Sequence, residues 1–399
     1  MAVNPLSANH SGAIPSLHAC EPALQRARGY GDTLREILQQ PETWLATAQQ
    51  LAAFVRGDAW REMIDASSSI VLTGSGSSHY VGEVLCNGLQ RAIGKPVLAI
   101  PAGTLLTHWR GSLPEGAVLV SFARSGDSPE SLAVAQVVQA GMHGCRHLAL
   151  TCNAHGRLAM HYREQPGAMA VVLDARTNDR SLVMTSSFTN LTLAGRALAF
   201  HKDAAPYLRA AAQAASLCEG LIERYGDAIE AFAASHIDDV CYLGSGAHYG
   251  AARESALKML EMTGGEVRTF AETFLGLRHG PMSAVRRDTV LVAFISGEPQ
   301  VREYELHLLR EMERKALGTR RILVGEGLSR EFAGADDLVI DLPGLNALGD
   351  DDAALICAVV GQLFAFFRCL HSGHQPDAPS QGVLTRVVEC IGAGSRGDA

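Results

Sequence analysis

Apolar residues along this chain fall into two kinds of pattern. Short runs rich in Val, Ile, Leu and Ala carry little polar alternation: Ile70–Thr73, Val97–Ile100, Ala117–Ser121, His147–Thr151 and Ala170–Leu173. A second set lies roughly 170 residues further on, member for member: Val240–Leu243, Val267–Ala271, Thr289–Ile295, Arg321–Val324 and Leu338–Ile340. Unbroken apolar runs of this length predict strands buried on both faces of a parallel sheet. Between most of them lie segments of helical period, punctuated by Gly or Pro, such as Tyr80–Ile93, Pro129–Ala140, Gly250–Met262 and Val301–Ala316. The alternation predicts an α/β fold of two similar, doubly wound, parallel five-stranded sheets, flavodoxin-like, behind an N-terminal helical segment. The expected domains are a partly helical N-terminal extension (1–50), a first unit (51–205), a linking helix (206–235) and a second unit with a C-terminal tail (236–399). "TLREILQQ" and "PETWLATAQQLAAFV" should be helices, and residues 1–25 loosely ordered.

Length and composition narrow the function. A chain of 399 residues can bury two cores, and 47% hydrophobic with 19% charged residues is ordinary for a globular protein. A net charge of −8 argues against broad binding to nucleic acid or anionic membrane, which wants a basic face. The nine cysteines contain no C-x-x-C pair, so neither a zinc knuckle nor a disulfide framework is suggested. The N-terminal "MAVNPLSANHSGAIPS" carries no basic n-region or long apolar run, so no secretory signal is expected, and the apolar Ala353–Leu370 contains Gln362 and Arg368, which suits a core helix. A soluble cytoplasmic protein is expected. His143/His147 and His371/His374 have suggestive spacings without further ligands and are expected to be structural, so no metal and no cofactor is anticipated.

Two turns, "TGSGSSHYVG" (73–82) and "LGSGAHYG" (243–250), each follow the first strand of a half and open its first helix. Ligands of open α/β sheets bind there, beyond the carboxyl ends of the strands. A dinucleotide is not indicated: the third glycine of the fingerprint is missing, and the second strand ends in "AIPAG" with no acidic residue. After the third strand comes "SFARSGDSPES" (121–131), where Ser128 suits an N-cap, Pro129 the first helical position and Ser125-Gly126 a close backbone approach. Such a helix start is either merely well capped or an anion site. Small hydroxyl residues at several strand ends (Ser77, Ser78, Ser125, Ser128, Thr185, Ser186 and Ser187), with Arg124 beside them, favour a phosphate. The matching loop of the second half, "FISGEPQV" (294–301), puts Glu298 before its proline, where a carboxylate would repel that phosphate.

Only four of the 34 basic residues are lysines, and one of them, Lys258, stands between Glu254 and Glu261 at spacing i, i+4, i+7. The three share a helix face, which alone reads as a solvated stripe. Downstream, "RHGP" (278–281) holds His279 in a loop. A carboxylate, a lysine and a histidine together suit proton transfer on a sugar.

At these residues the chain resembles the sugar isomerase (SIS) superfamily in its tandem form. "SGDSPES" looks like the phosphate loop, and "ESALKMLEMTGG" (254–265) with "RHGP" looks like the isomerase half of glucosamine-6-phosphate synthase. More closely it is similar to the AgaS-type tagatose-6-phosphate ketose/aldose isomerase and galactosamine-6-phosphate deaminase family. That likeness rests also on "LREILQQPETW" (34–44), "TNDRSLVMTSSFTNL" (177–191) and "QPDAPSQGVLTRVV" (375–388). The resemblance implies deaminating isomerisation of galactosamine 6-phosphate. It also leaves open plain aldose–ketose isomerisation, glucosamine-6-phosphate deamination, or a non-catalytic sugar-phosphate sensor. It implies that Ser77, Ser78, Ser125 and Ser128, with Thr185 and Ser186, hold the phosphate. Glu261 would move the proton between C2 and C1, and Lys258 and Glu254 would set its charge. His279 would help to open the ring, reaching across from a partner subunit in at least a homodimer. The chain departs from the synthases in having no lysine after Lys315 and Gly276 where they carry a glutamate.

Overall fold

The computed structural model describes residues 12–142, 144–328 and 333–387. His143, and residue 388 at the end of the tail motif, lie outside the described residues. Five helices precede the first sheet: α1 (Ala13–His18), α2 (Pro22–Arg28), α3 (Gly31–Leu38), α4 (Gln40–Arg56) and α5 (Asp58–Asp65). The first sheet contains β1 (Ser69–Gly74), β2 (Val97–Pro101), β3 (Ala117–Ala123), β4 (Arg146–Thr151) and β5 (Ala168–Val172). Its helices are α6 (Ser77–Ile93), α7 (Ala102–Ser112), α8 (Pro129–Gly141), α9 (Arg157–Arg163) and α10 (Ser186–Ala197). The long α11 (Ala205–Ala233) leads to the second sheet, β6 (Asp239–Gly244), β7 (Arg268–Thr273), β8 (Val290–Phe294), β9 (Arg320–Gly325) and β10 (Leu338–Asp341). With it come α12 (Ala247–Met262), α13 (Phe274–Leu277), α14 (Pro299–Arg314), α15 (Leu345–Leu348) and α16 (Asp350–His371).

Every ladder between these strands is parallel. The first sheet runs β2-β1-β3-β4-β5 and the second β7-β6-β8-β9-β10, so the two are wound alike. The unbroken apolar runs have their cause here: β1, β3 and β8 are buried along their whole length, covered by helices on both faces. One apolar cluster extends from Leu72 and Phe122 of the first half to Tyr242 and Phe294 of the second, through α6, α10, α12 and α16. The halves therefore share a core rather than touching at a hinge.

Two expectations need correction. Of residues 1–25, 1–11 lie outside the described residues and the rest are not loose but form α1, a short turn and the start of α2: Ala13, Ile14 and Leu17 of α1 are buried, and the Ala13 N–H donates to Asp227 on α11 at 2.6 Å. A division between residues 50 and 51 falls inside α4. That helix is welded to α10 by buried polar pairs, Trp44 Nε1 to Thr189 Oγ1 at 2.9 Å and Thr47 Oγ1 to Asn190 Oδ1 at 2.7 Å, so it is no appendage. Among the described residues only α16 is long and apolar enough to cross a membrane, and 89% of its apolar window is buried inside the protein.

Candidate active site

The two Gly-Ser-Gly turns are conformational twins. Gly76 has φ 56° and ψ −129°, Gly246 φ 56° and ψ −124°, a region that favours glycine. Each turn swings the chain from a central strand into a helix and leaves a concavity above the sheet. In the first half this is a cavity of about 280 Å³. Ser77, Ser78, Arg124, Ser125 and Ser128 all line it, as the sequence led us to expect, and so does Glu261 from the other half.

The Ser125–Ser128 loop is held from behind. Asn153 Nδ2 donates to the Ser125 carbonyl at 3.0 Å, the Leu158 N–H to the Gly126 carbonyl at 3.0 Å, and the Arg157 N–H to Asp127 Oδ1 at 3.1 Å. Gly156 packs so closely that a Cβ there would stand 2.1 Å from the Ser125 carbonyl oxygen. Asp127 is thus turned onto the start of α9, while Ser128 and Pro129 open α8 at the cavity, and the Ser128 side chain makes no capping hydrogen bond to that helix. Arg124 presents a buried guanidinium whose acidity burial increases, an effect that the Asp179 carboxylate opposes.

The i, i+4, i+7 face of α12 is not solvated. Packed between α6 and α16, Glu254 and Lys258 are fully buried and only Glu261 reaches the cavity, 18% exposed. Lys258 Nζ pairs with Glu261, lies 3.4 Å from Glu254 and donates to Ser77 Oγ at 3.1 Å. Burial alone would drive the ammonium down, but Glu254 and Glu261 outweigh it and hold Lys258 above its ordinary value. Burial pushes the Glu254 carboxyl up to about 7 against the pull of Lys258 and of the nearby Ser77 hydroxyl, and neither of its oxygens is held in a well-aligned hydrogen bond. One ammonium thus connects a cavity-facing carboxylate, a buried carboxyl and a hydroxyl lining the same cavity.

Thr185 and Ser186 do not join this group. Both are fully buried at the start of α10, whose N–H groups are capped by a carboxylate of the chain itself, Asp179. Asp179 accepts from the N–H groups of Thr185 and Ser187 at 2.8 Å and from the Ser186 and Ser187 hydroxyls at 2.5 Å. That helix start has its anion already. His279 is exposed on the loop after α13 and is not among the cavity's lining residues. Cys152 is no nucleophile, since burial raises its thiol to about 12. His147 is buried against Tyr162, while His371 pairs with Glu230 and His374 with Glu266. Arg386 stands in the tail motif "QPDAPSQGVLTRVV", which carried a likeness but no assigned role, and it enters the cavity together with Leu384.

No protein-family model matches the chain. It is 38% identical over 368 residues to an AgaS protein of Streptomyces coelicolor, covering 90% of this chain and 94% of that one. It is 34% identical, with the same coverage, to the D-galactosamine-6-phosphate deaminase AgaS of Escherichia coli O157:H7. The chain belongs to the AgaS family. Among solved structures, that of a tagatose-6-phosphate ketose/aldose isomerase from Escherichia coli superposes with a TM-score of 0.80 at 32% identity. The match covers 87% of this AgaS-family chain and 95% of the solved one.

The AgaS-family chain also contains a second cavity, of about 330 Å³, above the second sheet. It is the counterpart of the first. Ser245, Gly246 and Ala247 line it as Ser75, Gly76 and Ser77 line the other, and Arg91 of α6 enters it as Glu261 of α12 enters the first. Carboxylates fill it. Besides Glu298, as the sequence suggested, Asp350 accepts from the Ser296 hydroxyl and, at 2.9 Å, from the Gly297 N–H. Arg91 is paired with Asp351 at 2.5 Å and Arg196 with Asp352 at 3.0 Å. Replacing Asp350 and Glu298 together by Ser is expected to raise inorganic phosphate binding from one to two equivalents per chain, read by calorimetry. A stoichiometry unchanged from the parent would show that these carboxylates are not what keeps an anion out.

Proposed function

We propose that this chain is a deaminating isomerase that converts galactosamine 6-phosphate to tagatose 6-phosphate and ammonia. The observation that carries the reading is Glu261, a carboxylate with a lysine partner, facing the same cavity as the Ser125–Ser128 helix start. The AgaS relatives named for that activity support the substrate. In this reading the ester group lies on Ser77, Ser78, Ser125, Ser128 and the N–H groups of α8, with Arg124 beside it. Glu261 takes the proton from C2 of the open-chain aldehyde. The electrons move toward O1, where neighbouring hydroxyls stabilise the developing charge. Return of the proton to C1 leaves an imine at C2, and water releases the amine as ammonia. Lys258 pairs with Glu261 and holds it toward the substrate, with Glu254 as the second carboxyl beside the ammonium. His279 serves ring opening in the cavity of a second subunit, which makes the working unit a cytoplasmic homodimer or larger.

A second reading, aldose–ketose isomerisation without loss of nitrogen, is favoured by the name of the solved relative. The same steps on a hexose 6-phosphate give the ketose. A panel of hexose and hexosamine 6-phosphates, scored for ammonia and for ketose, decides between them. Ammonia from galactosamine 6-phosphate is the expected result. Ketose from hexose phosphates alone would establish the second reading, and binding without turnover would make the protein a sensor.

A further inference from the structure

The Asp179–Met184 segment divides its polar groups between two sides. Its carbonyls serve the cavity's guanidiniums: Asp179 and Arg180 accept from Arg386 at 3.0 and 2.9 Å, Ser181 and Leu182 from Arg124 at 3.2 and 2.9 Å. Its N–H groups turn the other way, onto α3, where Glu36 Oε1 accepts from Arg180 at 2.6 Å and Ser181 at 3.2 Å. Glu36 is 2% exposed. The sequence pattern gave it no role.

The Ser181 hydroxyl meets both Glu36 Oε2 and, at 3.0 Å, the Val183 carbonyl. A hydroxyl has one proton to give. With Glu36 ionised, either Glu36 Oε2 or the Val183 carbonyl goes without it. With a proton on Oε2, Glu36 donates to Ser181 and Ser181 donates to Val183, so every group is partnered. Asp179, by contrast, accepts from four donors and has none of its own to give. Burial, and after it the Asp179 charge, push the Glu36 carboxyl up to about 8. The charged groups around Glu36 are Asp179 and Arg180 on the segment, Arg124 at the end of β3 and Arg386 on the tail. On α3 itself Asp32 and Arg35 pair with each other, and Asp377 binds the Thr33 N–H at 2.7 Å.

We propose that Glu36, carrying its proton, is a positioning residue for the anion cavity: it fixes the 179–184 segment and thereby aims Arg124 and Arg386 at the substrate's ester group. The inference rests on the reading of that cavity as the ester site. Ionisation of Glu36 sets two buried carboxylates against each other and loosens the segment, so substrate affinity falls in alkali while the chemical step is spared.

The test compares substrate KM, kcat and inhibition by inorganic phosphate for the parent, Glu36→Gln, Glu36→Leu and Arg124→Met across the pH range. In the parent, KM is expected to rise about tenfold as pH climbs through the Glu36 range, the effect of losing one charge-assisted contact. Glu36→Gln, whose amide accepts two N–H groups and donates to Ser181 at any pH, should show no such rise. Glu36→Leu should raise KM and the phosphate inhibition constant by about tenfold at every pH, with kcat nearly unchanged. A parental alkaline rise in Glu36→Gln overturns the proposal, and needs no folded Glu36→Leu protein. If Arg124→Met leaves phosphate inhibition unchanged, the ester-site reading itself falls. If Arg124→Met weakens inhibition and neither Glu36 variant departs from the parent, only the positioning role falls.

Discussion

Glu261→Gln is expected to bind sugar phosphate as the parent does and to turn it over about a thousandfold more slowly, within the range a positioned general base contributes. The substitution keeps the shape and leaves an amide oxygen to accept from Lys258, so the helix face and the anion loops are undisturbed. What it removes is the lone pair that takes the C2 proton. In the proposed reading, binding energy comes from the serines and Arg124 of the other half, which line the cavity that Glu261 faces. The loss should therefore appear in kcat, with the dissociation constant from calorimetry little changed. A kcat within a few-fold of the parent would end the assignment of Glu261 as the base. A lost affinity at intact kcat would make it a binding group instead.

Lys258→Met should cost both activity and fold. Removing one partner of a buried ion pair typically costs about 3–5 kcal/mol, because the other charge stays behind in a low dielectric. Here Glu254 is the charge left behind, fully buried, with the Ser77 hydroxyl as its remaining neighbouring donor. The sign of the pH dependence follows. The Glu254 carboxyl is already raised to about 7, and loss of the ammonium raises it further. A carboxyl raised in the folded state keeps its proton after the unfolded chain has released its own, so stability falls as pH rises from the ordinary carboxylate range through the folded value. The denaturation midpoint of Lys258→Met should thus fall less below the parent in mild acid than in mild alkali. Adding Glu254→Gln removes the stranded charge and should restore much of the stability but none of the activity, since Glu261 still lacks its cation. A midpoint equal to the parent's, or a larger deficit in acid, would contradict this account.

The strands were legible because burial on both faces leaves runs such as Ile70–Thr73 with no polar alternation to confuse. The spacing of Glu254, Lys258 and Glu261 was legible too. What spacing does not encode is that α12 turns that face into the cavity of the other half, an outcome of packing between elements some 180 positions apart, as in the Lys258–Ser77 contact. Thr185 and Ser186 misled for a physical reason. Hydroxyl groups at a helix start serve a carboxylate cap as well as a phosphate, and Asp179 stands six residues before Thr185. Arg386 lies in a tail with no periodicity, where sequence offers no means of telling a cavity arginine from a surface one. Helix α1 has only six residues and is held by Asp227, which lies 214 positions from Ala13.

The reciprocal construction of the two cavities, each floored by one sheet and closed by the leading helix of the other, says something about ancestry. A half-length forebear would have owned a complete catalytic pocket only when two copies embraced. Fusion made that embrace permanent and left two equivalent positions free to diverge, one keeping its acid at 261, the other turning to arginine at 91.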